Sequence, residues 1–234
     1  MTRRAGDFAL ILPAAGSGTR MGTQERKTLL RVCGRPVLYH TLERFRGMSE
    51  FAQVVLVVHP DDLVRYRRRM ATLLELGVTD IVPGGERRQD SVEHGLAAAG
   101  PGVRWVAIHD AARPFVSRAA IGRVLEAARR TGAAVAGLPA VDTLKRVGPR
   151  GEILETLDRT TTWSIQTPQA FRRSLLEEAY RYARARSLAV TDDASLLEAM
   201  GQPVRVVAGN PENVKITTPA DLAHARAILR GFGG

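Results

Sequence analysis

"FALILPAAGSGTRMGTQERK", residues 8–27, begins as an uncharged apolar run, stops at Pro13, and continues with Gly16, Gly18 and Gly22. Two fixed cations, Arg20 and Lys27, sit among and after these glycines. An apolar run of this kind reads as a strand buried on both faces. A glycine-rich loop directly after such a strand lies where open α/β sheets hold their ligands, beyond the carboxyl ends of the strands. The loop does not fit GxxxxGK[ST], because the Lys27–Thr28 pair follows Arg26 and not a glycine. It does not fit GxGxxG either, since Gly16, Gly18 and Gly22 give GxGxxxG. Backbone amides freed by glycine, together with two cations, offer more positive potential than a diphosphate needs and suit a triphosphate.

The same strand type recurs along the chain. Val- and Ile-rich runs at Gln53–Val58, Thr79–Val82, Val103–His109, Ala133–Pro139 and Pro203–Val207 alternate with stretches of helical apolar spacing. Those stretches are "RPVLYHTLERFRG", "DDLVRYRRRMATLLELG", "QDSVEHGLAAAG" and "SRAAIGRVLEAARRTG", each ending at or near glycine. Strand–helix alternation implies βαβ units, an α/β fold and a mostly parallel sheet flanked by helices. One domain over 1–234 is the default at this length. Residues 141–160 break the rhythm: "VDTLKRV" and "EILETLDR" flank the turn signal "GPRG". They read as a projecting β-hairpin, and an exposed hairpin carrying Leu and Ile calls for cover, here by a second subunit in a homodimer.

Composition narrows the function classes. The chain carries 34 Lys and Arg against 24 Asp and Glu, a net charge of +10, which suits a polyanionic partner or substrate. The densest cluster, "RYRRR" at Arg65–Arg69, reads as a solvated helix face, and no nucleic-acid-binding motif accompanies it. A single cysteine, Cys33, excludes an intrachain disulfide and a cysteine-based metal cluster, fits a reducing cytoplasm, and reads as a small apolar residue. Arg3 and Arg4 before an apolar run imitate a signal peptide, but Asp7 and Pro13 break the pattern and a first core strand is the better reading. No segment approaches the ~20 apolar residues of a membrane helix.

Further candidates follow the other strands. In "HDAARP" Asp110 falls at the end of a buried strand, on the same sheet edge as the glycine loop, and one carboxylate beside phosphates is the usual protein share of a Mg²⁺ site. Arg113 can clamp a phosphate bidentately, and His109 reads as structural. "PGGERRQDSVEHG" offers Gly84–Gly85 for close backbone approach and Ser91 to cap a helix or touch a ligand. Lys215 follows the last strand in "NVKITTP"; alone it reads as a surface lysine. "TPQAF" and "TDDAS" carry no chemistry by themselves.

Taken in order, "PAAGSGTRMG…K", "HDAARPF", "DTLKR", "TPQAF", "TDDAS" and "NVKITTP" closely resemble the 2-C-methyl-D-erythritol 4-phosphate cytidylyltransferase family over nearly the whole chain. The resemblance implies a Rossmann-like nucleotidyltransferase fold and a homodimer of interlocking hairpin arms. It implies a reaction that joins CTP to methylerythritol 4-phosphate with Mg²⁺ and releases pyrophosphate. By motif, Ala14, Ala15, Gly16, Gly18, Arg20 and Lys27 would hold CTP; Gly85 and Ser91 would face the cytosine, with Ala111 near the nucleotide. Asp110 would bind Mg²⁺, and Arg113, Thr143, Thr167 and Lys215 would surround the sugar phosphate. Arg159 would reach from the hairpin into the neighbouring subunit's site. Arg20, Lys27, Arg159 and Lys215 are the candidate catalytic groups. Members often have Pro before the lysine; here Arg26 precedes and Thr28 follows Lys27, with the Arg20-to-Lys27 spacing kept. The competing readings are a cytidylyltransferase for another polyol phosphate such as ribitol 5-phosphate, an NAD-dependent dehydrogenase, and a non-enzymatic polyanion-binding protein. The pair Ala111–Ala112 leans toward methylerythritol phosphate, because the ribitol enzymes often carry a bulkier second residue.

Overall fold

The computed structural model describes residues 6–16, 26 and 28–231. Its core is built on β1 (Phe8–Pro13), whose first five residues are fully buried. β4 (Phe51–Val58) and β6 (Trp105–Ile108) flank it in parallel, with Ile11 opposite both Val55 and Ile108. Successive side chains of a strand point to opposite faces, so β1 supplies two cores at once. Leu10 and Leu12 join Leu38 and Leu42 of α1 (Val37–Phe45) and Ile121 and Leu125 of α5 (Arg118–Thr131) on one face. Ala9 and Ile11 join Val92 and Leu96 of α4 (Arg88–Ala97) and Leu176 of α6 (Arg173–Ala185) on the other. A strand that serves two cores has no polar face, which is why its sequence shows no alternation. Each large apolar side chain buried this way contributes ~1.5–3 kcal/mol.

Among the described residues the sheet has seven strands. Outside β4 lies β5 (Asp80–Pro83); on the other side of β6 lie β10 (Trp163–Arg172), β7 (Ala133–Pro139) and β11 (Arg205–Ala208). All pairings are parallel except those of β10, which runs antiparallel to both β6 and β7. The sequence reading assigned no strand to "TPQAF", yet it lies within β10. The ladder with β7 is irregular between Ile165 and Gln169, and Pro168 sits in that break. A proline lacks the amide a ladder needs, so a bulge is where a strand tolerates one.

Several boundaries also differ from expectation. The stretch read as one helix from Asp61 to Gly77 is a 3₁₀ turn at Pro60–Asp62 followed by α2 (Leu63–Arg67) and α3 (Met70–Glu75). Cys33 is exposed at φ +47° in the turn between β2 (Arg31–Val32) and β3 (Arg35–Pro36), so it is a turn residue and no part of a core. Residues 141–160 do contain a hairpin: β8 (Lys145–Val147) pairs antiparallel with β9 (Ile153–Thr156) in a two-stranded sheet of their own. It leaves the main sheet after β7 and returns into β10, so it springs from the carboxyl edge of the parallel strands. The last elements of the described residues are α7 (Ala194–Ala199), β11 and α8 (Pro219–Gly231).

Candidate active site

A cavity of about 350 Å³ opens at that carboxyl edge, lined by Ala14, Ala15 and Gly16 after β1, Gly85 after β5, and Asp110 and Ala111 after β6. Ser91 and Lys215 complete the set of sequence-identified residues that line it. A second depression, at the opposite ends of the strands, is bordered by Asp7, Arg104 and Arg129; there Asp7 already pairs with both arginines, at 3.0 and 2.6 Å. Glycine lets the loops of the first cavity meet. A Cβ on Gly84 would stand 2.5 Å from Ala15 Cβ and 2.7 Å from Ser91 Oγ. In α4, a Cβ on Gly95 would stand 2.5 Å from Ile11 Cγ2, so this glycine brings the helix close against β1. Ser91 uses its hydroxyl inside the protein: Oγ accepts from Gly85 N at 3.1 Å and donates to Arg87 O at 3.2 Å. It fixes the glycine turn against the first turn of α4; the N-cap is Arg87, so Ser91, the fourth residue of the helix, braces the turn and does not cap the helix.

Asp110 is the electrostatic centre. Its Oδ2 receives Lys215 Nζ at 2.7 Å and Arg113 Nε at 3.4 Å, and its Oδ1 receives Arg88 Nε at 3.3 Å. Burial alone would raise its pKa; the cations Lys215, Arg88 and Arg113 outweigh it and hold the carboxyl well below the usual carboxylate range. Asp110 is therefore ionised throughout the neutral range. Two hydrogen bonds to backbone carbonyls bring Lys215 and Arg113 to it. Ile216 N donates to Ala112 O at 2.9 Å, which sets Lys215 beside the loop after β6, and Arg113 Nη1 donates to Asn213 O at 2.8 Å.

Arg113 and Thr167 support the site from beneath and do not line the cavity. His109, fully buried, explains how. Its Nε2 lies 3.0 Å from the carbonyl of Arg113, which can only accept, so Nε2 carries the proton. Nδ1 then accepts from the Thr167 hydroxyl at 3.0 Å, and Thr167 Oγ1 accepts from Asp110 N at 3.0 Å. The bulge in β10 is what aims Thr167 at this relay. Burial pushes the His109 pKa down to about 4, against the opposing effects of its hydrogen bond to Arg113 and the Asp110 charge. The unfolded chain therefore binds a proton that the folded one refuses, and stability falls as pH drops from about 6.5 toward 4. Between pH 7 and 5 this one group is expected to cost about 2 kcal/mol. Urea unfolding at both pH values checks it: a His109→Gln variant should lose correspondingly less on acidification than the parent, and equal losses would exclude His109 as the source.

The loop that carries Lys27 is bracketed. Gly18, Arg20 and Lys27 lie outside the described residues. Arg26 pairs with Asp62, and the carbonyl of Thr28 accepts from Leu38 N at 3.0 Å. The "RKT" context thus ties both neighbours of Lys27 to the body of the protein. Thr143 and Arg159, by contrast, are exposed on the hairpin segment and do not line the cavity of their own chain. Arg88 was missed by the sequence reading; its only signal was an arginine pair one residue after the double glycine. Among the described residues no cluster of three His, Cys, Asp or Glu side chains could hold a metal, and no helix is long and apolar enough to cross a membrane.

A mostly parallel sheet whose carboxyl edge presents a glycine-lined cavity floored by one carboxylate and its cations fits a nucleotidyltransferase, and the family match below shows that class. The IspD family model, described as 2-C-methyl-D-erythritol 4-phosphate cytidylyltransferase, matches residues 8–231, and the chain belongs to that family. The enzyme of that name from Pelotomaculum thermopropionicum is 45% identical over 97% of this chain and 95% of its own length. The one from Desulforamulus reducens is 41% identical over 96% and 97%. Among solved structures, 4-diphosphocytidyl-2C-methyl-D-erythritol synthase from Anaerococcus prevotii superposes with a TM-score of 0.84 at 31% identity, covering 97% of this chain and 99% of its own. The Thermus thermophilus cytidylyltransferase gives 0.76 at 38%, covering 95% and 98%. The dehydrogenase and polyanion-binding readings fall away.

Proposed function

We propose that the protein transfers a cytidylyl group from CTP to 2-C-methyl-D-erythritol 4-phosphate, forming 4-diphosphocytidyl-2-C-methyl-D-erythritol and pyrophosphate. The observation that carries this reading is Asp110 among Arg88, Arg113 and Lys215, at the edge where the glycine loop begins. Two strongly repelling anions must meet in line, and fixed cations are the means to bring them together. Ala14, Ala15, Gly16, Gly18, Gly85, Ser91 and Ala111 would seat the nucleotide. Arg20 and Lys27 would stabilise the charge that develops on the transferred and departing phosphates. Lys215, which lines the cavity, would hold the sugar phosphate, joined by Arg113 turning up from beneath; Thr167, whose hydroxyl is committed to His109 and the Asp110 amide, would act through that relay.

Asp110 fits a divalent cation in a particular way. One carboxylate is too few to hold a resident metal, but a hard cation carried by nucleotide phosphates needs only one or two from the protein. Bound there, Mg²⁺ would neutralise part of the nucleotide charge. Asp110 would orient it, and Lys215 and Arg113 would turn to the incoming anions.

The hairpin supports a homodimer. Val141, Val147, Ile153 and Leu154 are 84%, 54%, 64% and 55% exposed, an apolar load that one chain leaves bare. In a dimer of interlocked arms, Thr143 and Arg159 would serve the neighbouring subunit's sugar-phosphate site. One cysteine and phosphorylated substrates fit a cytoplasmic setting. Pyrophosphate release should be measured with each of four nucleoside triphosphates, with and without methylerythritol 4-phosphate. Release with CTP only, dependent on the acceptor, is expected; release with ribitol 5-phosphate in its place would overturn the acceptor.

A further inference from the structure

The two motifs that carried no chemistry in the sequence meet behind Asp110. Gln169 of "TPQAF" accepts from the backbone amides of Asp193 and Ala194, each at 3.2 Å, and its Nε2 donates to Asp192 Oδ2 at 2.7 Å. This locks the "TDDAS" turn ahead of α7 and drives Asp193 into the interior, where it is 1% exposed. A buried carboxylate is costly unless paired. Here Oδ1 accepts from Tyr180 Oη at 2.8 Å and Oδ2 from Arg88 Nη1 at 2.8 Å. The other side of the same guanidinium reaches Asp110 through Nε. Arg88 therefore spans two carboxylates, one sealed in the interior and one on the cavity floor.

The two oxygens of Asp110 are held unequally. Oδ2 is held by Lys215 and Arg113, cations with work to do on anionic substrates. Oδ1 has Arg88 as its only partner among the described residues, and Arg88 is itself tied down by Asp193. We infer that Arg88, anchored on Asp193, is the positioning residue that keeps the Asp110 carboxylate oriented once substrates draw Lys215 and Arg113 away. A lysine replaces it poorly, because its single nitrogen cannot place donors at the separation that Nε and Nη1 of the guanidinium give. The inference rests on the reading of Asp110 as the carboxylate at the reacting phosphates. That reading is tested by the wild-type reaction, and this one by variants measured against an active wild type.

The test is steady-state kinetics with CTP and the acceptor on Arg88→Lys, Asp193→Asn and the double variant, with metal-free CTP binding by calorimetry alongside. Each single change should lower kcat about 10–100-fold, the usual loss when the partner that orients a site residue is removed. KM values and metal-free CTP affinity should stay within about threefold. The double variant should be no slower than the worse single one, because both break one chain of contacts. Tyr180→Phe, which removes a single hydrogen bond from Asp193, should show the same pattern more weakly and keeps the test open if Asp193→Asn fails to fold. Losses that multiply in the double variant would overturn the inference. So would wild-type kcat in Asp193→Asn or, should that protein not fold, in Tyr180→Phe. A defect confined to KM for one substrate would make Arg88 a direct ligand instead.

Discussion

Replacing Lys27 with alanine is expected to lower kcat by about 10²–10³-fold while CTP affinity changes far less. The acceptor is a phosphomonoester, mostly dianionic at neutral pH, so the reaction needs no general base and no covalent intermediate. What the barrier contains is charge: a dianion approaching a triphosphate, and pyrophosphate leaving. A cation engaged mainly in the transition state shows up in turnover, and one that binds both states alike shows up in KM. Arg26 and Thr28 are fixed on either side of Lys27, so the alanine change should remove the charge without loosening the loop's attachment. Steady-state turnover and calorimetric CTP binding measure the two effects; near-normal turnover would take Lys27 out of the chemistry. The same variant tests the arm. Mixed with Arg159→Ala protein under conditions of subunit exchange, it should regain activity, because one site of each mixed dimer then has both groups. Mixed dimers that stay inactive would mean the site is not shared.

The second large effect is expected at Asp110. Asp110→Asn keeps the shape and removes the charge, and turnover should fall by about 10²–10³-fold, equivalent to ~3–4 kcal/mol. Binding should move the other way. Lys215, Arg113 and Arg88 lose the carboxylate they now contact at 2.7, 3.4 and 3.3 Å, and the cavity becomes more positive. Metal-free CTP should therefore bind as tightly as before or more tightly, while the unliganded protein melts a few degrees lower from the unrelieved repulsion. Because these cations hold the carboxyl far below its usual range in the unliganded protein, the wild-type kcat/KM should show no acidic limb from Asp110 at any pH where the protein stays folded. Turnover within about threefold of wild type, or weaker metal-free binding, would contradict the role.

The central strands were legible because burial on both faces leaves no polar position to confuse the pattern: Phe8–Leu12, Val55–Val58 and Val106–Ile108 read as apolar runs and fold as such. β10 was not legible. Its buried half includes Gln166, Thr167 and Gln169, and Pro168 interrupts its ladder. These polar residues tolerate burial only because partners from distant segments satisfy them, and such partners leave no local trace. The break between α2 and α3 was hidden for a simpler reason, since apolar spacing continues across it.

The sequence by itself determined the α/β architecture, the sheet edge where ligands sit, and Asp110 with the glycine loop as the centre of that edge. Strand burial, turn chemistry and the position of loops after strands are local properties, and local properties are written in order along the chain. Only the tertiary structure decided which cations meet Asp110, that Arg88 is one of them, and that Asp193 and Gln169 stand behind it. Those residues come from α4, β10, the turn before α7 and the segment after β11. Their charges are ordinary surface chemistry until packing removes the water between them, and proximity across the fold, which no local pattern encodes, turns them into one site.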